Sequence, residues 1–408
     1  MQINLRSIWL LTVLFLSACV GSGKQQSFNA IDLQKSNWPE IEQKARGSSV
    51  SFAMWAGDEN RNRFFKTEVA TKLKEKFDIS LNIVPLGDTA EIINKLLNEK
   101  QAGKIGGGSV DMVWINGENF RTAKQAGLLW GDFAGRLPNN SLYESSAGVA
   151  DFGTAVEGLE APWQRSQFVI AYDSARLKEP PTSIETIGKW IKANPGKFTY
   201  SAPPDFTGSA FLRHVLFHFG GGAQNFTKFD EQLYSEASAK TFAFLNGIKP
   251  FLWRSGETYP NSPVELNRLF ANREVEFTMA YGAAFASEAI KRNEFAGSVR
   301  TFVLDEGTIG NYSFLTVTFN AENPEGSLVV INYLMSHEFQ LAQAMRLGSI
   351  YPHDLSKLTA AERSAVEALP RGEATLSAED LASHVVPEAD SAYLERLEKD
   401  WRKEVLLK

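Results

Sequence analysis

From residue 49 onward the chain alternates two hydrophobic rhythms. Short, dense apolar runs, VSFAMW at 50–55, ISLNIV at 79–84 and VDMVWI at 110–115, are separated by longer stretches in which apolar residues recur every third or fourth position. Between Asn60 and Phe77 the recurring residues are Phe65, Val69, Leu73 and Phe77, which fall on one face of a helix. Between Asp88 and Ala102 they are Ile92, Ile93, Leu96 and Leu97, and a third helix is predicted from about Glu118 to Leu128. Strand, helix, strand, helix, strand in that order predicts a mostly parallel, doubly wound sheet.

A second series repeats the pattern: QFVIAY at 167–172, a helix near 183–194, KFTYS at 197–201, a helix from about Gly208, and VEFTMA at 275–280. VRTFVL at 299–304 and FLTVTF at 314–319 follow, then helices to the C-terminus. Two α/β units in series predict a two-lobed protein, each lobe a mostly parallel sheet flanked by helices. In such open sheets a ligand sits beyond the carboxyl ends of the strands.

The N-terminus reads differently. Ser7 to Leu16 is apolar but too short to cross a bilayer, and behind Met1 to Arg6 it has the form of a signal-peptide core. It closes on Leu16, Ser17, Ala18 and Cys19, which resembles a bacterial lipobox and implies export, cleavage and a lipid anchor on Cys19 in the periplasm or at the cell surface. Residues 20–48 then read as a polar tether and a short amphipathic lead-in. Cys19 is the chain's only cysteine, so no disulfide braces it and stability falls to a large core. A net charge of -6 argues against a nucleic-acid partner, which favours a basic face.

The predicted strand ends carry the candidate chemistry. WAGDEN supplies Trp55, Asp58 and Asn60 after the first strand, and WINGEN supplies Trp114, Asn116, Glu118 and Asn119 after the third. APWQRSQ adds Trp163 and Gln164, APPDFTGSA adds Asp205, Thr207, Gly208 and Ser209, MAYGAAF adds Tyr281, and IGNYSF adds Asn311 and Tyr312. Together they suit an aromatic-walled cleft with a few polar groups that orient a small molecule. The individual residues also fit plainer roles: Trp55 and Trp114 as core aromatics, Asp58 and Asp205 as helix caps.

The chain resembles the family 1 extracellular solute-binding proteins, the capture subunits of ABC importers, and among them the YnjB-type group related to thiamine- and polyamine-binding proteins. The resemblance is carried by the lipobox, SFAMWAGDENRNRFF, GSVDMVWINGENF, APWQRSQFVIAYD, PPDFTGSAFLRH and NPEGSLVVINYLMSHEFQ. It implies a type II binding-protein fold whose lobes, 49–163 with 301–335 and 164–300 with 336–408, trap a small molecule and perform no chemistry. It further implies hinge crossings near Trp163 to Gln167, near Val299 to Leu304 and near Leu334 to Glu338, an ABC permease as partner, a monomer, and no cofactor or metal.

A thiamine-like or polyamine-like cation suits the acids and tryptophans. The backbone N–H groups at Gly208 and Ser209 suit an anion instead, and sugars also favour aromatic platforms. Ferric iron fits poorly, because the family's iron binders use adjacent tyrosines and this chain has no Tyr-Tyr pair.

Signals for catalysis are weak. His214 and His218 share a helix face, but HVLFH lacks the glutamate of zinc hydrolases, and packing is the expected role. No serine stands between glycines at hydrolase-elbow spacing. The glycine runs at 106–108 and 220–222 read as turns. The rival readings are a surface-tethered carbohydrate-active enzyme using Asp58 and Asp205, a sugar-binding lipoprotein, and a structural lipoprotein with no ligand.

Overall fold

The computed structural model describes residues 36–408; Cys19, the lipobox and the first part of the tether lie outside the described residues. The lead-in forms a helix, Trp38–Ala45, capped by Asn37 and Glu40 in a reciprocal box. The strands are β1 (Ser49–Trp55), β2 (Ser80–Leu86), β3 (Met112–Ile115), β4 (Ala150–Asp151), β5 (Thr154–Ala155), β6 (Ala161–Gln167), β7 (Val169–Asp173), β8 (Phe277–Ala280), β9 (Val299–Phe302), β10 (Thr308–Val317) and β11 (Val385–Val386).

The first sheet runs β11-β10-β3-β1-β2, with β6 also paired to β10. β1 is parallel to both β2 and β3, as the βαβαβ order requires. The helix after β1 starts at Glu59 behind an Asp58 cap, and its Phe65, Val69 and Leu73 stripe is buried. A π-turn over Phe65–Val69 interrupts that helix before it resumes at Ala70–Phe77. Helix Thr89–Gln101 opens on a capping box, with Asp88 accepting from the Ala90 N–H at 2.7 Å and Glu91 accepting from the Asp88 N–H at 3.1 Å. Apolar side chains cover both faces of this sheet: Phe52, Met54, Phe65, Leu315 and Phe339 on one, Ile92, Leu96, Val113 and Phe120 on the other.

The second sheet has the order β8-β7-β9, and both of its pairs are antiparallel. That differs from the parallel pairing predicted for this half. β8 and β9 point the same way, and the reversed strand between them is β7, which continues directly from β6. The KFTYS segment is not a strand: among the described residues its backbone tie to the β8 side is one hydrogen bond, from the Glu276 N–H to the Lys197 carbonyl at 2.9 Å. A separate core forms here from Phe168, Ile170, Ile187, Phe211, Val215, Met279, Phe302, Tyr393 and Trp401.

Two adjacent antiparallel strands connect the cores. Trp163 on β6 belongs to the first core and Phe168 just beyond it to the second; on β10 the order is reversed, with Ile309 in the second core and Leu315 in the first. β6 and β10 pair from Gly310↔Gln167 to Leu315↔Ala161, with a register shift between Ser313 and Phe314. The crossing expected at 299–304 is therefore made by β10, because β9 stays in the second sheet beside β7. The helix His337–Leu347 still packs Phe339 into the first core, and the chain reaches the second beyond it, where Gly348 abuts Ala284 and Glu288. It then returns, the Asp354 N–H donating to the Leu142 carbonyl at 3.0 Å, before the helix Ser391–Trp401 docks in the second core. Among the described residues no helix is long and apolar enough to cross a membrane.

Candidate ligand-binding site

On the first core, the turn after β1 is organised by Asp58, whose carboxylate accepts from the N–H groups of Asn60 and Arg61 at 2.9 and 3.2 Å. Trp55 is 37% exposed and its indole lies over Gly57, where a Cβ would come within 2.1 Å of the ring. Asn60 is half-buried. Trp114, also half-buried, lies under the guanidinium of Arg61, whose central carbon is 5.3 Å from the ring centre. Trp163 packs edge-on to Trp114 at 5.2 Å and is fully buried, so it supports Trp114 from within the core instead of facing a cleft. Gln164 accepts from Arg61 Nη1 at 2.9 Å. Asn116 donates its side-chain N–H to the Tyr312 carbonyl at 3.0 Å, tying the end of β3 to β10. Asn119 lies beside Glu118, at 3.5 Å.

On the second core, Asp205 caps the helix Phe206–Phe219 and accepts from the Gly208 N–H at 2.9 Å. The N–H expected to receive an anion is thus taken by the chain's own carboxylate. Gly208 is a packing residue, since a Cβ there would lie 1.9 Å from the Ser201 carbonyl oxygen. Thr207 and Ser209 are buried, and Ser209 Oγ donates to Glu398. The Tyr281 hydroxyl accepts from Arg213 Nη2 at 2.9 Å, and the Tyr281 ring stands 4.8 Å from that of Phe206. Arg213 is fully buried and pairs with Glu388 through Nε at 2.7 Å; Asn311 donates to the other oxygen of Glu388 at 3.3 Å. The Tyr312 ring packs against Tyr143 and its hydroxyl donates to the Pro352 carbonyl at 3.4 Å.

The two sides meet through Phe152, in the turn between β4 and β5. Its ring lies 3.2 Å from the position a Cβ on Gly117 would take, 6.0 Å from the Phe206 ring and 5.6 Å from the Arg213 guanidinium. Its carbonyl accepts from the Ser391 N–H at 2.9 Å, and Arg121 bonds Glu395 at 2.8 Å nearby.

Around this junction carboxyl groups accumulate. Burial pushes Glu118 up to about 7, with Glu398 and Asp88 adding repulsion, and pushes Asp205 up to about 6. Burial likewise raises Glu398, with Asp88 and Asp205 among its neighbours. Deeper on the first side, Asp151 accepts from the Gly117 N–H at 2.5 Å, and Glu160 is 0% exposed with neither oxygen bonded; burial raises both, with Glu118 and Glu388 repelling Asp151 and Asp151 repelling Glu160.

Both histidines of HVLFH have partners within the protein, and no group of three or more potential metal ligands occurs among the described residues. His214 donates from Nδ1 to the Ala210 carbonyl at 2.7 Å and accepts at Nε2 from the Ile309 N–H at 3.0 Å; burial lowers it to about 3. His218 pairs with Glu306 at 2.7 Å.

Residues 68–365 match the family described as bacterial extracellular solute-binding protein. The chain belongs to that family. Over 311 residues, 76% of this chain and 80% of the relative, it is 34% identical to Protein YnjB of Escherichia coli strain K12. Among solved structures it resembles an ABC transporter substrate-binding protein from Bradyrhizobium japonicum (TM-score 0.64, 16% identity, 88% of this chain and 99% of that one). It also resembles the spermidine/putrescine ABC transporter substrate-binding protein PotD from Streptococcus pneumoniae (TM-score 0.62, 15% identity, 88% and 99%). The solute-binding protein described here therefore has the two-lobed periplasmic-binding-protein fold, and membership makes it the substrate-binding subunit of an ABC transporter, the role implied by its motifs.

Sequence reasoning named Asp58, Asp205, Tyr281 and Asn311 but passed over Arg61, Phe152, Arg213, Glu388 and Glu398. Arg213 left a signal: it is the one charged residue in FLRHVLF, surrounded by apolar side chains.

Proposed function

We propose that this solute-binding protein captures a small cationic solute between its two lobes, performs no chemistry on it, and delivers it to an ABC permease while anchored to the membrane as a lipid-modified monomer through Cys19. The observation that carries the ligand class is the convergence of Asp88 and Glu118 from the first core with Asp205 and Glu398 from the second: beyond the effect of burial, Glu398 repels Glu118, and Asp88 repels Asp205 and Glu398. The nearest fixed cation, Arg213, is already engaged by Glu388. A cation entering this gap relieves repulsion that both lobes share only when closed, so it favours closure. The aromatic faces of Trp55, Phe206 and Tyr281 supply its apolar contact. The lobes follow the two cores, with β6 and β10 as the hinge. PotD, a protein of this fold, is named for spermidine and putrescine, both amines, which agrees with this reading.

The test is a thermal-shift and calorimetry panel of putrescine, spermidine, thiamine, maltose and glucose. Stabilisation by an amine or by thiamine, lost in Glu118→Gln and Asp205→Asn, is the expected result. Stabilisation by sugars alone, or hydrolysis of a glycan, overturns the reading.

A further inference from the structure

Among the described residues two arginines are buried, and they are treated unlike each other. Arg213 has Glu388 as counter-ion at 2.7 Å. Arg61, 8% exposed on the helix that follows β1, forms no ion pair; Nη1 donates to Gln164 at 2.9 Å and Gln343 at 3.4 Å, and its buried Nε has no acceptor. Asp58 attracts it from further off, and burial works against its charge.

The glutamines are set in place for this. Gln340 donates to the carbonyls of Trp163 and Leu334, so its oxygen is left to accept from Gln343 at 3.4 Å, which turns the Gln343 oxygen toward Arg61. The indole N–H of Trp163, in the same Arg61–Trp114–Trp163 stack, is also buried without an acceptor. Withdrawing a guanidinium from water is costly, and two neutral carbonyls return little of that cost. A buried guanidinium with a free Nε donor is shaped to take an oxyanion.

Building on the reading of a cation held between the lobes, we propose that the solute is zwitterionic, carrying a carboxylate or phosphate that docks on Arg61 at the hinge side while its cationic part faces Glu118, Asp205 and Glu398. Gln164 lies on the hinge strand β6, so docking there also reports occupancy to the hinge.

The test compares matched pairs that differ by one acidic group: putrescine against ornithine, and thiamine against thiamine monophosphate. In the wild-type protein the acidic member of a pair binds about tenfold more tightly, the increment of one charge-assisted fork. Arg61→Gln removes that preference; Arg61→Lys retains part of it. The wild-type comparison decides even if the variants fold poorly. Equal affinities within both pairs, no binding by either, a preference that survives Arg61→Gln, or a cargo without an acidic group in native mass spectrometry overturns the proposal. Amines that bind regardless of an acidic group leave the cationic reading standing without this one; succinate binding that is lost in Arg61→Gln, with every amine inert, overturns both.

Discussion

Phe152 and Arg213 face each other across the boundary between the cores, ring centre to guanidinium carbon 5.6 Å. Arg213 is fixed from behind by Glu388 and Tyr281, so Phe152 is the movable half of the contact. A buried cation–π contact of this kind contributes about 1 kcal/mol. Phe152→Ala is expected to shift the empty protein toward an open form, seen as a larger radius of gyration in X-ray scattering, and to weaken ligand binding about fivefold. An unchanged radius and affinity would show that closure does not depend on this contact.

Binding of a cation should weaken in acid. Glu118 protonates at about 7 and Asp205 at about 6, and a protonated carboxyl offers no charge to the ligand. Between pH 8 and pH 6 a single carboxyl titrating near 7 goes from mostly ionised to mostly neutral, which lowers the apparent affinity about tenfold. Calorimetry of putrescine or thiamine across that range should show the fall, with proton release on binding at pH 7. Glu118→Gln should flatten the upper part of the curve.

Gly208 separates packing from binding. Its Cβ position lies 1.9 Å from a backbone oxygen, so Gly208→Ala must move the segment at Ser201 or the helix itself. We expect a loss of about 1–3 kcal/mol in urea unfolding. Asp205→Ala should cost about 1 kcal/mol through the lost cap, whereas Asp205→Asn keeps an acceptor for the Gly208 N–H and should mainly reduce cation affinity.

These residues also show what a sequence can reveal. β1, β2, β3 and the helices between them were legible because burial on one side of each helix imposes a period that local spacing records. KFTYS has strand-like residues yet forms no ladder, since its neighbours at 253 and 276 each offer it one hydrogen bond. Asp58 and Asp205 were legible as helix caps, because that role depends on position at a helix start. Arg61 was hidden within ENRNRF, where the charged neighbours Glu59 and Arg63 are exposed. Only the folded chain brings Gln164 and Gln343 against Arg61, across 103 and 282 residues. Glu388 and Glu398 reach the site from the C-terminal segment, 175 residues beyond Arg213 and 189 beyond Ser209.

His214 gives a final test, because its two hydrogen bonds fix it as a neutral ring. The Ile309 N–H needs a lone pair on Nε2, while the Ala210 carbonyl takes the proton on Nδ1. Protonating Nε2 would set one donor against another beside the start of β10, and burial already holds the ring down to about 3. In the unfolded chain the same ring protonates near 6.5. The unfolded state therefore binds more protons between those values, and the stability that His214 contributes is present above about 6.5 and is lost as pH falls toward 3. His214→Phe keeps a ring but leaves the Ile309 N–H unpaired, a loss of about 1–3 kcal/mol at pH 7. Measured by urea unfolding from pH 7 to pH 4, the gap between wild type and variant should narrow steadily. A gap that stays constant would mean that the folded ring accepts a proton as readily as the unfolded one, and that Ile309 is not held by it.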